Sequence, residues 1–512
     1  MTRAAGWSRN RRPRILYRRM RSALVFVLFG LFGFGTVMAV PAAATLPDGV
    51  VEVDLEADMG GVTLRQVQVI RTLIRAARIM DALYQQQVTG EGFYPADMSR
   101  EEFAAWGDPA GASPYTVVRR NAAGALEAVP YHEAWPDELA QVARLLAQAA
   151  AITDDEALRH YLTQRARALI TGDYRRAEAA WRAMRYSDLD VLIGPIHAGA
   201  DVEFGLKHGF GAYVMLRDWA WGARLAAYTV FLPEVQQSLP VSAAFKAEVP
   251  DVDMKVAVYD LLFHAGEGAV RAAADGPGGV AESRLRLRDG PQRLQLRNVT
   301  RARFEAMVMP VAAVLLAPAE RHAVSFDAFL LNAMGREMAH SLGMQETVAS
   351  GVPVARALGE HAEVIEATKA AVLSLWLLDW LHARGELQDT TLAAHYASFL
   401  ASTLHSMHAD ADGAAARANA LVFNHLSDWR AIRRDAATGR YRIDPDALGP
   451  AVEALAAQVL TLQGSGDYDG AAQLIATMAY PRATLQADLE RLAAASIPAA
   501  VIFRQGEELL GL

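Results

Sequence analysis

From residue 364 to 381 the chain is apolar nearly all round, with Glu366 and Lys369 as the only charges before Asp379. A helix with no polar face is buried on every side. This segment therefore commits the chain to a helical layer thick enough to surround it. Glu366 and Lys369 stand three apart, a spacing at which an acid and a base on one helix can pair.

A second segment carries charge where none is expected. Phe326, Leu330, Ala333, Glu337 and His340 recur at four, three, four and three, which places them on one stripe of a helix. The stripe is otherwise apolar, and burying a carboxylate is costly enough to need a reason. Arg336-Glu337-Met338-Ala339-His340 differs only at its first position from the HExxH zinc helix. In that helix two imidazoles at i and i+4 bind the metal from one face while the glutamate activates water. The substitution is His to Arg. By itself the string is common in helices, and a lone histidine on an apolar face is more often a hydrogen-bonded core residue.

At 512 residues the chain exceeds a usual single core, which predicts a large two-lobed molecule or two to three domains. With 52% hydrophobic and 21% charged residues, long disorder is excluded and helix is favoured. The chain has no cysteine. Disulfides, thiolate zinc sites and a lipoprotein anchor are thereby ruled out, and any metal must be held by His and carboxylates.

Eight arginines and no acid lie in residues 1–22, followed by an uncharged apolar run over 23–40 and then Pro41-Ala42-Ala43-Ala44. Basic start, apolar middle and small-residue end form a secretory signal, with cleavage expected after Ala44. As a helix the run would span roughly 27 Å, close to the hydrocarbon thickness of a bilayer, so an uncleaved anchor is the competing reading. Either way the arginines favour the cytoplasmic side and place the remainder in the periplasm or at the inner membrane facing it. No other stretch is long enough to span, so a membrane partner is expected only through this segment. Without the leader, 42 basic residues face 58 acids, about −16 overall, which disfavours nucleic acid as a partner.

Apolar residues at helical spacing over 62–83 and 136–184 predict amphipathic helices. Leu189-Asp190-Val191-Leu192-Ile193, closed by Gly194-Pro195, predicts a strand running into a loop, a usual place for recognition. Helix is expected over 205–232. Short strands and turns are expected around 266–290 with alternating Leu285, Leu287, Leu294 and Leu296, and helix again from about 301 to 478, with Pro481 and Pro498 marking the approach to the C-terminus. There is no repeat of fixed period.

The two charged segments together resemble the zinc core of bacterial dipeptidyl peptidase III. Phe326-Asp327-Ala328-Phe329 through Gly343 is similar to the family's HExxH helix. Ala357-Leu358-Gly359-Glu360 followed by Glu366-Ala367-Thr368-Lys369-Ala370-Ala371 is similar to its second motif, in which two adjacent glutamates precede a lysine. The likeness extends through Ser113-Pro114-Tyr115-Thr116-Val117, Val129-Pro130-Tyr131-His132-Glu133-Ala134, Ile193-Gly194-Pro195 and Leu460-Thr461-Leu462-Gln463-Gly464 with Gly466-Asp467-Tyr468.

The resemblance implies a mainly α fold with a smaller β part, α+β, in two lobes around a wide cleft. One lobe is helical and carries the zinc helix; the other is mixed, with a small β-barrel. The expected division is 1–44 leader or anchor, 45–215 mixed lobe, 216–250 helical insertion, 251–300 barrel part, 301–480 helical lobe and 481–512 return to the mixed lobe.

Carried over residue by residue, the resemblance implies a degenerate centre. Arg336 stands at the first zinc histidine and Ala367 at the zinc glutamate, which leaves His340 as the one retained ligand and Glu337 as an idle general base. The family's peptide-anchoring Glu and Tyr correspond to His197 and Gly199, whereas Asp201 fits the pattern. A family His becomes Ala415 ahead of Ala416-Arg417-Ala418-Asn419, and two Asn of the barrel loop become Ala272 and Asp275.

Two missing ligands at about 3 kcal/mol each remove about 6 kcal/mol of zinc binding, some four orders of magnitude in affinity. A guanidinium cannot deprotonate and adds repulsion. Arg336 is therefore expected to stand in for the metal by pairing with Glu337 or Glu366. These substitutions imply a pseudoenzyme without cofactor that keeps a peptide or protein ligand in its cleft. Two alternatives remain open: a zinc peptidase releasing dipeptides through a displaced set of His340 with Glu363, Glu366 or His361, and a structural or regulatory partner of an active paralogue.

Overall fold

The computed structural model describes residues 49–512 apart from 91, 251–254, 267–283, 287–291, 388, 410–412 and 499. The leader, Ala272, Asp275 and Leu287 lie outside the described residues.

Two apolar cores, one in each lobe, organise residues 46–512 into an α+β fold. The chain enters through β1 (Val50–Asp54) and α1 (Leu64–Thr89), whose N-cap Thr63 exchanges hydrogen bonds with Gln66 in a capping box. It continues through α2 (Arg100–Trp106), the hairpin β2 (Thr116–Arg120) and β3 (Leu126–Pro130), the short α3 (Tyr131–Ala134), α4 (Pro136–Ile152), α5 (Glu156–Thr171) and α6 (Arg175–Ala183). The helical pattern over 136–184 thus divides into three: Asp155 caps α5, and Gly172 ends it in a left-handed conformation at φ 73°.

The mixed lobe is built on β4 (Leu189–His197), β5 (Gly209–Arg217), β6 (Lys255–Ala265), β7 (Arg284–Arg286) and β8 (Gln292–Leu296), in the order β4-β5-β6-β8-β7. All neighbours are antiparallel except β6 and β8. The expected β-barrel is not formed: β4 and β7 are the two edges and do not pair, so the sheet of the described residues is open. The physical reason is α1, which packs across β4, β5 and β6 and covers the face around which a barrel would have to roll.

The helix expected over 205–232 is also corrected. Residues 209–217 form β5, an inner strand buried along most of its length between β4 and β6; helix begins only at α7 (Trp219–Thr229), capped by Asp218. An inner strand buried on both faces has no alternation to betray it.

The helical lobe follows. It contains α7, α8 (Leu232–Ser238) and, after α9 (Arg297–Arg303), whose Val299 belongs to the mixed-lobe core, α10 (Met309–Leu315), α11 (Pro318–Ala323) and α12 (Phe326–Ala339). Next come α13 (Val354–Leu358), α14 (Ala362–Ala383), α15 (Leu392–Ala409) and α16 (Ala414–Asp428), the hairpin β9 (Ile432–Arg434) and β10 (Tyr441–Ile443), α17 (Pro445–Ser465), α18 (Tyr468–Met478) and α19 (Ala483–Ala494). Helix α14 is its axis, packed against α12, α16 and α17. Leu373, Leu375, Leu377, Leu378 and Leu381 are all essentially buried, a contribution of roughly 8 to 15 kcal/mol before conformational entropy is counted. The last strand, β11 (Ala500–Arg504), pairs in parallel with β1, and Arg504 forks onto Asp54 at 2.6 Å, so the two ends of the described chain close on each other. Among the described residues no helix is long and apolar enough to cross a membrane.

Candidate functional site

Helix α12 starts at Ser325, whose hydroxyl accepts from the Ala328 N–H, and ends at Ala339, so His340 is its C-cap. The turn that follows needs Gly343 at φ +80°, where a Cβ would come within 2.7 Å of Leu460 Cδ2. Gln236 of α8 clamps this glycine from both sides, accepting from its N–H at 2.8 Å and donating to its carbonyl at 3.1 Å. The backbone beneath His340 is thereby held by two other helices.

His340 Nδ1 lies 2.7 Å from Glu366 Oε1 on α14. With the carboxylate ionised, Nδ1 carries the proton and donates, which orients the ring. One turn further along α14, the fully buried Lys369 donates to the same oxygen at 3.0 Å, to Leu342 O at 3.0 Å and to His340 O at 3.3 Å. Its ammonium thus neutralises the glutamate and caps the carbonyl end of α12, where the helix dipole favours a cation. The other oxygen, Glu366 Oε2, accepts from Gln463 Nε2 of α17 at 2.8 Å. Burial alone would raise the pKa of Glu366; the His340 hydrogen bond and the Lys369 charge overcome it and hold the carboxyl down at about 2.

Arg336 does not join this group. Its Nη2 donates to Asn419 Oδ1 on α16 at 3.3 Å, and its guanidinium lies 5.2 Å from the centre of the Phe399 ring on α15. The expected pair with Glu366 is not formed: that carboxylate is engaged by His340, Lys369 and Gln463, while Arg336 turns to Asn419 and Phe399. One turn before Arg336, Asn332 exchanges hydrogen bonds with His395 of α15, donating to its carbonyl at 2.8 Å and meeting its Nδ1 at 2.9 Å. Glu337 is buried, at 3% exposure. The Ala367 methyl packs against the apolar core of the lobe. Glu363 is exposed in the first turn of α14, and His361 sits against the Tyr468 ring at 4.6 Å.

Zinc needs three or four donors converging on one point. Among the described residues no group of three His, Cys, Asp or Glu side chains is placed to hold a metal ion. His340 keeps Nε2 as its second ring nitrogen, but Glu366 is engaged by His340, Lys369 and Gln463, and the neighbouring Arg336 and Ala367 side chains offer a metal no donor. The residues present do not fit zinc.

In the mixed lobe His197 is buried at the end of β4, beside an irregularity in its pairing with β5. Its Nε2 lies 3.2 Å from Ala265 O, and the ring occupies space that exists because residues 211 and 266 are glycines: a Cβ there would stand 2.0 and 2.4 Å from Nε2. Gly199 is exposed in the following turn. Asp201 is buried and spends its carboxylate on its own loop. Oδ1 accepts from the N–H groups of Glu203 and Phe204, and Oδ2 from those of Leu206 and Lys207 and from Tyr94 OH at 2.7 Å. These bonds outweigh burial and lower its pKa.

Lys207, which sequence reasoning missed, is fully buried, and its ammonium is bound by Gly111 O, Ser113 O and Thr116 Oγ1. Burial lowers its pKa to about 8. Gln463, in the Leu460–Gly464 segment, carries its signal in the sequence as an amide inside an otherwise apolar helix.

An α+β fold of two lobes, with a histidine and carboxylate held between central helices but without a three-donor metal group, is the class of protein that fold and site define. Its fold is that of dipeptidyl peptidase III. The structure of DPP III from Caldithrix abyssi superposes with a TM-score of 0.81 and 26% sequence identity, covering 90% of this chain and 99% of that one. The structure of dipeptidyl-peptidase III from Corallococcus sp. strain EGB gives 0.65 and 27%, covering 90% and 98%. A curated relative, Nudix hydrolase 3 of Arabidopsis thaliana, is 27% identical over 443 residues, 79% of this chain. The chain spans 56% of that protein's length. No protein-family model matches the chain.

Proposed function

We propose that this chain is an exported pseudopeptidase of the dipeptidyl peptidase III type, which binds a peptide or protein segment between its lobes and does not cleave it. One observation carries the reading: the Glu366 carboxylate is neutralised by Lys369 and held by hydrogen bonds from His340 and Gln463, while Arg336 and Ala367 stand at two of the family's ligand positions. Without a dication, Glu337 has no activated water to deprotonate. The two solved peptidases of the same fold support peptide as the ligand class. The basic leader over residues 1–44 supports export to the periplasm or anchorage at the inner membrane facing it.

Metal analysis of the purified protein tests the first half. The wild type is expected to hold no stoichiometric zinc, and the double variant Arg336→His, Ala367→Glu to gain it. Stoichiometric zinc in the wild type would overturn the reading. Titration with unlabelled tetrapeptides tests the second half; saturable binding without release of dipeptides is expected, and chelator-sensitive cleavage would refute it.

A further inference from the structure

A cavity of about 510 Å³ opens on the helical lobe where the end of α16, the β9–β10 hairpin and the start of α19 meet. Its apolar wall includes Phe423, Ile432 and Leu485. Four arginines, Arg430, Arg433, Arg434 and Arg482, line it together with polar side chains such as Asn424 and Ser427.

Three of the four are already matched to carboxylates. Arg433 is bonded to Asp444, Arg434 forks onto Asp488 at 2.7 and 2.9 Å, and Arg482 is bonded through both terminal nitrogens to Asp428. A guanidinium has five N–H donors, and the named bonds leave some of them on each. Arg430 is exposed, and among the described residues neither a side-chain hydrogen bond nor an ion pair engages its guanidinium.

The backbone at Arg430 is unusual. The residue follows the C-cap of α16, its N–H donating to Ser427 O at 2.9 Å and that of Ala431 to Leu426 O at 2.8 Å, and its φ is +60°. This is the helix-ending position at which glycine is the residue free of strain. An arginine there puts charge at the mouth of the cavity at a cost in backbone conformation.

We propose that this cavity binds a carboxylate monoanion carrying a short apolar body, with Arg430 engaging the carboxylate and the wall of Phe423, Ile432 and Leu485 receiving the apolar part. One uncommitted guanidinium suits one negative charge, and a guanidinium matches a carboxylate through two parallel N–H bonds. A phosphate dianion would bring its second charge close to Asp428, Asp444 and Asp488. The volume lies within the usual range for small-ligand sites. The carboxylate can belong to a free aryl or aliphatic acid or to the C-terminal residue of a peptide.

The test is calorimetric titration of the full chain with 3-phenylpropionate, with its primary amide, and with an N-acetyl dipeptide ending in phenylalanine. Binding of at least one acid is expected, with the amide weaker by tenfold or more. Tighter binding of the dipeptide assigns the site to chain termini, and tighter binding of 3-phenylpropionate to free acids; either supports the proposal. Arg430→Gly removes the guanidinium while placing the favoured residue at positive φ. Its melting temperature is expected to equal or exceed that of the wild type while affinity falls by tenfold or more. Absence of binding by both acids, equal affinity for the amide, or unchanged affinity in Arg430→Gly would each overturn the proposal.

Discussion

At the residue scale His340, Glu366, Lys369 and Gln463 form a charge network whose stability is set by what holds Glu366. Lys369 is fully buried, and Glu366 is the carboxylate beside it. Removing one partner of a buried pair leaves the other charge uncompensated. Glu366→Gln is therefore expected to destabilise the fold by about 3 kcal/mol, the lower end for buried pairs because the Glu366 side chain keeps 37% exposure. Denaturant unfolding measures it. The pH dependence follows from the same residue. Its folded pKa of about 2 lies below the ordinary 4.5, so its stabilisation is present above pH 4.5 and is lost as pH falls towards 2. The difference in stability between wild type and Glu366→Gln should shrink across that window.

His395 works in a second, higher window. Burial pushes its pKa from 6.5 down to about 4, so the unfolded chain takes up a proton that the folded one refuses. Stability is expected to fall as pH drops from 6.5 to 4, by up to about 1.4 kcal/mol per pH unit for this group. His395→Gln should flatten the slope whatever it does to absolute stability. A plateau in the wild type between those values would contradict the assignment.

At the element scale the decisive feature is where α12 stops. Its carbonyl end is closed by Lys369, and its exit turn by Gly343 and Gln236. Gly343→Ala must place a Cβ at φ +80° and 2.7 Å from Leu460 Cδ2. A loss of about 2 kcal/mol is expected, from left-handed strain together with the close contact, read as a lowered midpoint in thermal or chemical unfolding. Strand β5 shows the opposite case, an element that periodicity misassigned. Gly209-Phe210-Gly211-Ala212-Tyr213-Val214-Met215 is buried through its length between two strands and under α1. Its apolar run reads equally well as buried helix, and only pairing with β4 and β6 separates the two.

At the scale of the whole molecule, His340, Glu366 and Gln463 tie together three central helices within the helical lobe. Each lobe has its own apolar core, and the Glu366 network crosses the α12–α14–α17 contact. Addition of a chelator is accordingly expected to leave the melting temperature unchanged, whereas it should lower that of a zinc-loaded Arg336→His, Ala367→Glu variant. A chelator-induced drop in the wild type would show a resident metal.

What the amino-acid order determined by itself was burial and spacing within single elements. It determined that residues 364–381 form a helix with no solvent face, that Glu366 and Lys369 stand one turn apart, and that His340 shares a stripe with Glu337. Tertiary structure alone decided the partners across elements. It gave Arg336 to Asn419 and Phe399 rather than to Glu366, brought Gln463 from nearly a hundred residues away, and left the β-sheet open under α1. The reason is that periodicity records which face of a helix or strand is dry, whereas the identity of the group meeting that face depends on how separately formed elements pack.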